Sequence, residues 1–183
     1  MSMPLFHRKP ETARRVPGRD GSRAGTGVEA VVGAHRIPEA FRALSSLPAL
    51  HYADHFTLNT ETAATPERWA RAMFGDLPSP AERFIWRGLL GLRLSRGRSP
   101  DTVAGWRIAA RGEDWIRLAA VSPLLAGELI VRSPRGQVSL STFLHYRSGF
   151  GRTIWTPLSA VHRRLTPGLL RDAEAHVLKT LPG

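Results

Sequence analysis

The sequence predicts an α+β domain, in which an antiparallel sheet is covered by a long C-terminal helix. Three observations carry this. One alternating strand is followed by two capped helices, four β-rich runs come next with only short links between them, and an apolar stripe of helical period then continues almost to the last residue.

From Arg8 to Gly27 the chain is rich in Arg, Gly, Pro and Ser and almost free of apolar residues, so it has little surface with which to offset the entropy of ordering. Residues 1–36 are therefore expected to form a flexible basic arm, dispensable for folding, and residues 37–183 a single domain. Gly25-Thr26-Gly27-Val28-Glu29-Ala30 matches G-x-G-x-x-A, but a dinucleotide fingerprint must follow a buried strand, and Arg19 to Ala24 is not one. The match is read as chance.

The folded part is expected to start near Ile37-Pro38, with a short helical stretch to Leu44. His51 to Leu58 alternates, placing Tyr52, Asp54, Phe56 and Leu58 on one face of a half-buried strand. Thr65-Pro66 supplies an N-cap with proline at the first helical position, and Trp69, Ala70, Met73 and Phe74 follow at helical spacing up to Gly75. Ser79-Pro80-Ala81-Glu82 is a capping box. The helix after it should line one face with Ala81, Phe84, Ile85, Gly88, Leu89 and Leu92.

Between Thr102 and Arg147 four runs read as strands: Thr102 to Ala110, Trp115 to Val121, Leu125 to Arg132 and Gln137 to Arg147. Their links are too short for crossover helices, so the runs must be antiparallel neighbours in a meander. Phe150, Ile154, Leu158, Val161, Leu165, Leu169, Ala173 and Val177 then form the helical stripe, which Pro157 and Pro167 are expected to kink or restart, each after a capping Thr. Five strands are expected in all.

Composition narrows the function classes. With 183 residues, 42% hydrophobic and 22% charged, the chain can build one core. It contains no cysteine, which removes disulfides, thiolate metal sites and a cysteine nucleophile and suits a cytoplasmic location. No apolar run is long enough for a membrane span or a secretory signal. The net charge of +11 suggests nucleic acid or an acidic membrane as partner, but it is spread out. Residues 1–36 carry seven basic groups and three acids, and residues 147–183 carry six and two. Only Lys9 and Lys179 are lysines, an arginine bias that fits a GC-rich genome as well as any ligand.

Among candidate sites, His51 and His55 would lie about 13 Å apart along a strand, with Asp54 on the opposite face, so no metal site is expected. Asp54 shares its face with Tyr52, Phe56 and Leu58 and must find a partner, for which Arg107 or Arg117 is the expected counter-ion. Trp106, Thr142 and Tyr146 fall on inward-facing stripes and, with Asp54, are the candidate cavity-lining residues. Adjacent His145 and Tyr146 point to opposite sides of a strand, and His162-Arg163-Arg164 fans out around a helix as a solvated face. No nucleophile elbow, phosphate loop or zinc-protease pair is present, and no cofactor is expected.

The order of elements resembles the helix-grip superfamily, which includes the START lipid-binding domains, polyketide cyclases and Bet v 1-like proteins. Tyr52-x-Asp54-x-Phe56, Trp69-Ala70-Arg71-Ala72-Met73-Phe74-Gly75, Leu90-Gly91-Leu92-Arg93-Leu94, Gly105-Trp106-Arg107-Ile108 and Val161-His162-Arg163-Arg164-Leu165 are similar to a bacterial family of unknown function within it, also found fused to NAD(P)-binding short-chain-dehydrogenase-like domains. The resemblance covers residues 37–180. It implies a curved sheet gripping the C-terminal helix around a cavity, often with seven strands, in which case two would be hidden around Leu90 to Arg98. It also implies a hydrophobic or amphipathic small-molecule ligand. A cofactor-free cyclase or hydratase using Asp54 or Tyr146 is the enzymatic alternative, and an adaptor whose Arg-rich arm binds nucleic acid or acidic membrane is a third.

Scattered arginines attract nucleic acid only through counterion release, and no strand interleaves aromatic with basic residues as a base-stacking platform would. Fluorescence anisotropy on unrelated duplexes and single strands should therefore show binding no tighter than about 10⁻⁴–10⁻⁶ M at physiological salt, with no sequence preference. A hundredfold preference for one sequence at that salt would contradict this.

Overall fold

The structure, a computed structural model, describes residues 27–180. Seven antiparallel strands form one curved sheet in the order β1-β2-β7-β6-β5-β4-β3, and the long helix α4, Gly149–Thr180, lies across it. The strands are β1 Val28–Val32, β2 Tyr52–Asn59, β3 Thr102–Val103, β4 Trp106–Arg111, β5 Trp115–Val121, β6 Leu125–Arg132 and β7 Gln137–Tyr146. Helix α1 is Glu39–Arg42, α2 is Pro66–Phe74, and α3, Pro80–Arg83, continues as a π-helical turn over Phe84–Leu89.

The expected α+β order holds. The meander runs from β3 to β7, and β2 pairs with β7 so that the strand preceding the helices sits beside the last one. In α2 the Thr65 hydroxyl accepts from the Arg68 N–H, and the buried residues are Trp69, Ala70, Met73 and Phe74, the face read from the sequence. The capping box at Ser79 and Glu82 is also formed.

Two strands are additions to the five expected, and neither lies around Leu90 to Arg98. Val28–Val32, which the sequence assigns to the arm, pairs along β2 as an edge strand, with only Val28, Val31 and Val32 partly buried. So short a run is outweighed in composition by its Arg- and Gly-rich flank. It also gives a second reason to reject the glycine fingerprint, because the chain after Gly27 enters a strand and not a helix. The rest of the arm, residues 1–26, lies outside the described residues. The second addition arises because the run from Thr102 is a hairpin. Ala104 and Gly105, with φ of 49° and 82°, form its two-residue turn. A Cβ at Gly105 would also stand 2.9 Å from the Ser95 carbonyl.

Leu90, Leu92 and Leu94 are buried alternately, as in a strand, but the segment makes isolated hydrogen bonds and joins no ladder. Ala81 and Phe84, expected on the inner face, are exposed, Phe84 to 64%, and a π turn that begins at Phe84 then changes the helical spacing. Helix α4 is unbroken through Pro157 and Pro167. The threonine before each proline does not cap a new segment, because the Thr156 hydroxyl donates back to the Arg152 carbonyl and that of Thr166 to the His162 carbonyl.

Both faces of the sheet centre are covered. Phe56, Leu58, Leu118, Leu129, Leu140 and Leu144 pack inward beneath α2 and α4. On the outer face Ala53, Ile130 and Phe143 pack under Ile37, Phe41, Leu44, Leu47 and Leu50, the segment that follows β1. The Glu128 carboxylate, 2% exposed on β6, holds this cover: it accepts from the Ser45 hydroxyl at 2.6 Å, the Ser46 hydroxyl at 2.6 Å and the Ser46 N–H at 3.0 Å.

A chain beginning at Ile37 removes β1 and exposes the edge of β2. Its thermal midpoint should fall by at least about 4 °C, since 1 kcal/mol corresponds to about 2–4 °C in a domain of this size. An unchanged midpoint would show that β1 contributes nothing to stability.

Candidate functional site

Between the inner face of the sheet and α4 lies a pocket of about 220 Å³. The sheet supplies Trp106, Leu125, Leu129, Thr142 and Leu144, the α3 region supplies Glu82, Ile85, Trp86, Leu90 and Leu92, and α2 supplies Phe74. From α4 come Trp155, Leu158, Val161, His162, Leu165, Thr166 and Leu169. Val161 and Leu165 are at least half exposed even though they line it, so the pocket opens along α4. The helix stripe read from the sequence is thus divided: Ala173 and Val177 pack in the core, while Leu158, Val161, Leu165 and Leu169 face the pocket.

The walls are aromatic and aliphatic, with Trp86 and Trp106 in an edge contact at 5.6 Å between ring centres. Polar groups gather at one place. Asp54 is fully buried in β2 directly opposite Thr142 of β7, and its Oδ2 accepts from the Tyr52 hydroxyl at 2.5 Å and lies 3.2 Å from Nε2 of His162. Thr142 Oγ1 is 3.1 Å from the same nitrogen. Asp54 Oδ1 has no partner among the described residues, and neither do the indole N–H groups of Trp106 and Trp155. Burial, reinforced by the Asp54 charge, pushes the Tyr52 hydroxyl far above the usual tyrosine range, so Tyr52 serves as a donor and not as a base.

The four residues expected to line a cavity separate. Trp106 and Thr142 line the pocket, and Asp54 sits behind it, reaching the lining through His162. Tyr146 is not among the lining residues. Its ring lies parallel to that of His51 at 5.5 Å between centres, at the end of the inner stripe. The expected arginine partners of Asp54 are absent: Arg107 is exposed, and Arg117 on the outer side reaches Glu128 and the Leu44 carbonyl.

His162 is the residue that sequence reasoning missed. In the triplet with Arg163 and Arg164 it reads as solvated, yet it points at Asp54, with its side chain only 23% exposed. The available signal was its spacing from Leu158 and Thr166, four residues to either side, which places all three on one helix face. His55, read from the sequence as lying on the face opposite Asp54, is buried on the outer face, where Nδ1 meets Ser141 Oγ at 2.8 Å and Nε2 meets Thr57 Oγ1 at 3.0 Å. Among the described residues no three His, Asp or Glu side chains group as metal ligands, and no helix is long and apolar enough to cross a membrane.

No family model matches the chain, and no curated protein matches it. Among solved structures, the crystal structure of Ara h 8.0201 aligns with 70% of this chain and 99% of that chain at 12% identity, with a TM-score of 0.32. A likeness of that size transfers no residue and no ligand. The fold rests on the strand order and the helix described above.

His55 provides a pH test. Burial lowers its pKa from 6.5 to about 4, with the Asp54 charge opposing this and Arg132 adding to it. Below pH 6.5 the unfolded chain gains a proton at this ring that the folded chain does not, so stability falls as the pH drops, until the folded ring also protonates near 4. Urea unfolding of the wild type and His55→Gln between pH 7 and pH 4 should show the wild type losing roughly 3 kcal/mol more than the variant. Parallel pH curves would refute the lowered pKa.

Proposed function

We propose that the protein is a binding module for a small apolar or amphipathic molecule held between the sheet and α4. The observation that carries this is the pocket itself, apolar over most of its wall, open along α4, and with His162 and Thr142 paired on one side and Glu82 on the α3 side. Such a distribution suits a ligand with a hydrophobic body and one polar function. At about 220 Å³ the pocket is larger than the roughly 150 Å³ apolar cavity that accommodates benzene, so a ligand of one or two rings is of the right size. Membership of the helix-grip superfamily, in a bacterial family whose relatives can be fused to dehydrogenase-like domains, belongs to the same proposal and is supported by the order of elements. A cytoplasmic location is proposed with it, supported by the absence of cysteine.

Native mass spectrometry of protein purified from its own host should find a retained small molecule. Adding that molecule back to stripped protein should raise the thermal midpoint in proportion to the logarithm of its concentration once it exceeds Kd. Protein that carries nothing, and that no one- or two-ring hydrophobic compound stabilises, would overturn the assignment.

A further inference from the structure

The geometry points to His162 as a catalytic base, positioned by Asp54, that removes a proton from a carbon acid of one or two rings. This inference rests on the pocket being a ligand site, and deepens that reading from binding to catalysis.

Tyr52 and His162 converge on a single oxygen of a fully buried carboxylate. Nε2 of His162 is hydrogen-bonded to Thr142 Oγ1 at 3.1 Å and lies 3.2 Å from Asp54 Oδ2, and with the ring proton on Nε2, beside these two oxygens, the lone pair is on Nδ1. That nitrogen makes no hydrogen bond among the described residues and belongs to a side chain that lines the pocket. A buried carboxylate behind an imidazole fixes both the ring's tautomer and its orientation, and it stabilises the imidazolium that forms when the free nitrogen takes a proton. The pocket holds no cysteine or lysine, and its one serine-type hydroxyl next to the dyad, Thr142, is engaged with Nε2. Proton transfer is the chemistry that this free ring nitrogen is placed to supply.

The step balances within the substrate. The bond from hydrogen to a carbon beside a carbonyl breaks, an N–H bond forms at Nδ1, and the electron pair moves onto the carbonyl oxygen. Return of the proton to a different carbon of the same molecule gives an isomer and restores His162, so no oxidant, metal or cofactor is consumed. The titratable and charged groups that face His162 are Asp54 and Tyr52 on β2, Arg163 on its own helix and Glu82 across the pocket.

The test uses 5-nitrobenzisoxazole, a two-ring carbon acid. Loss of its C3 proton breaks the N–O bond and releases a coloured 2-cyano-4-nitrophenolate, so turnover reports a base and asks nothing else of the protein. Binding is followed separately by quenching of tryptophan fluorescence. The expected result is saturable turnover faster than an equal concentration of free imidazole, with kcat falling toward acid pH because a base must be unprotonated to act. His162→Gln should lower kcat at least about a hundredfold and abolish the acid limb, with KM within about threefold. Asp54→Asn, which keeps the shape but lets the amide donate to Nε2, should lower kcat at least about tenfold with KM similarly retained, circular dichroism confirming that both variants fold. Quenching without turnover, or turnover unchanged in His162→Gln, overturns the base and leaves the binding module standing. No quenching by this compound or by any other one- or two-ring hydrophobic compound removes both.

Discussion

The pairing of β2 with β7 is the constraint on which the rest depends. Eight consecutive residue pairs join two segments far apart in the chain, and one of them sets Asp54 directly opposite Thr142. Side chains alternate between faces, so a slip of one residue would turn Asp54 to the outer face and bring His55 inward. The register is held from both sides. Phe56, Leu58, Leu140 and Leu144 lock it beneath the helices, and Ala53 and Phe143 lock it beneath the outer cover. The carboxylate is thereby fixed behind the pocket wall at the depth where an α4 side chain can reach it.

The outer cover explains side chains that would otherwise be costly. Glu128 is buried in a sheet interior, yet three donors from Ser45 and Ser46 satisfy it, as a buried carboxylate requires. His55 is buried in the same layer and stays neutral between two hydroxyls. The segment between β1 and β2 is thus a second layer of the domain, attached by polar contacts at one end and by Ile37 and Phe41 at the other.

Much of this was legible because local chemistry and global fold agree. Thr65-Pro66, the Ser79 capping box, the turn residues of the meander and the alternation from Tyr52 to Leu58 all encode themselves within a few residues. What was illegible depends on partners. Strand β1 exists because β2 offers an unpaired edge, and five residues dominated by Val carry no such information. The π turn at Phe84 inserts a spacing that a period of 3.6 cannot anticipate. Of the candidate site, Trp106 and Thr142 followed from strand parity, whereas the partner of Asp54 was sought among cations when the structure supplies a phenol and an imidazole. Charge arguments select arginine. The spacing of His162 from Leu158 and Thr166 puts it on the inner helix face, and the placement of α4 over β2 then brings it to Asp54.

Helix α4 divides its labour along its length. Toward the C-terminus Leu170, Ala173 and Val177 are fully buried, with α2 packed against the helix, while Leu158, Val161 and Leu165 border the pocket and contribute less to the core. Anchoring and selectivity therefore reside in different turns of one element. Mutations in the pocket turns can reshape what the cavity admits while the anchor continues to hold the helix in place, so new ligand preferences are open to drift and selection without passing through unfolded intermediates. A scaffold of this kind separates evolvability from robustness, and relatives that keep the Ala173 to Val177 anchor can be expected to diverge most at the rim.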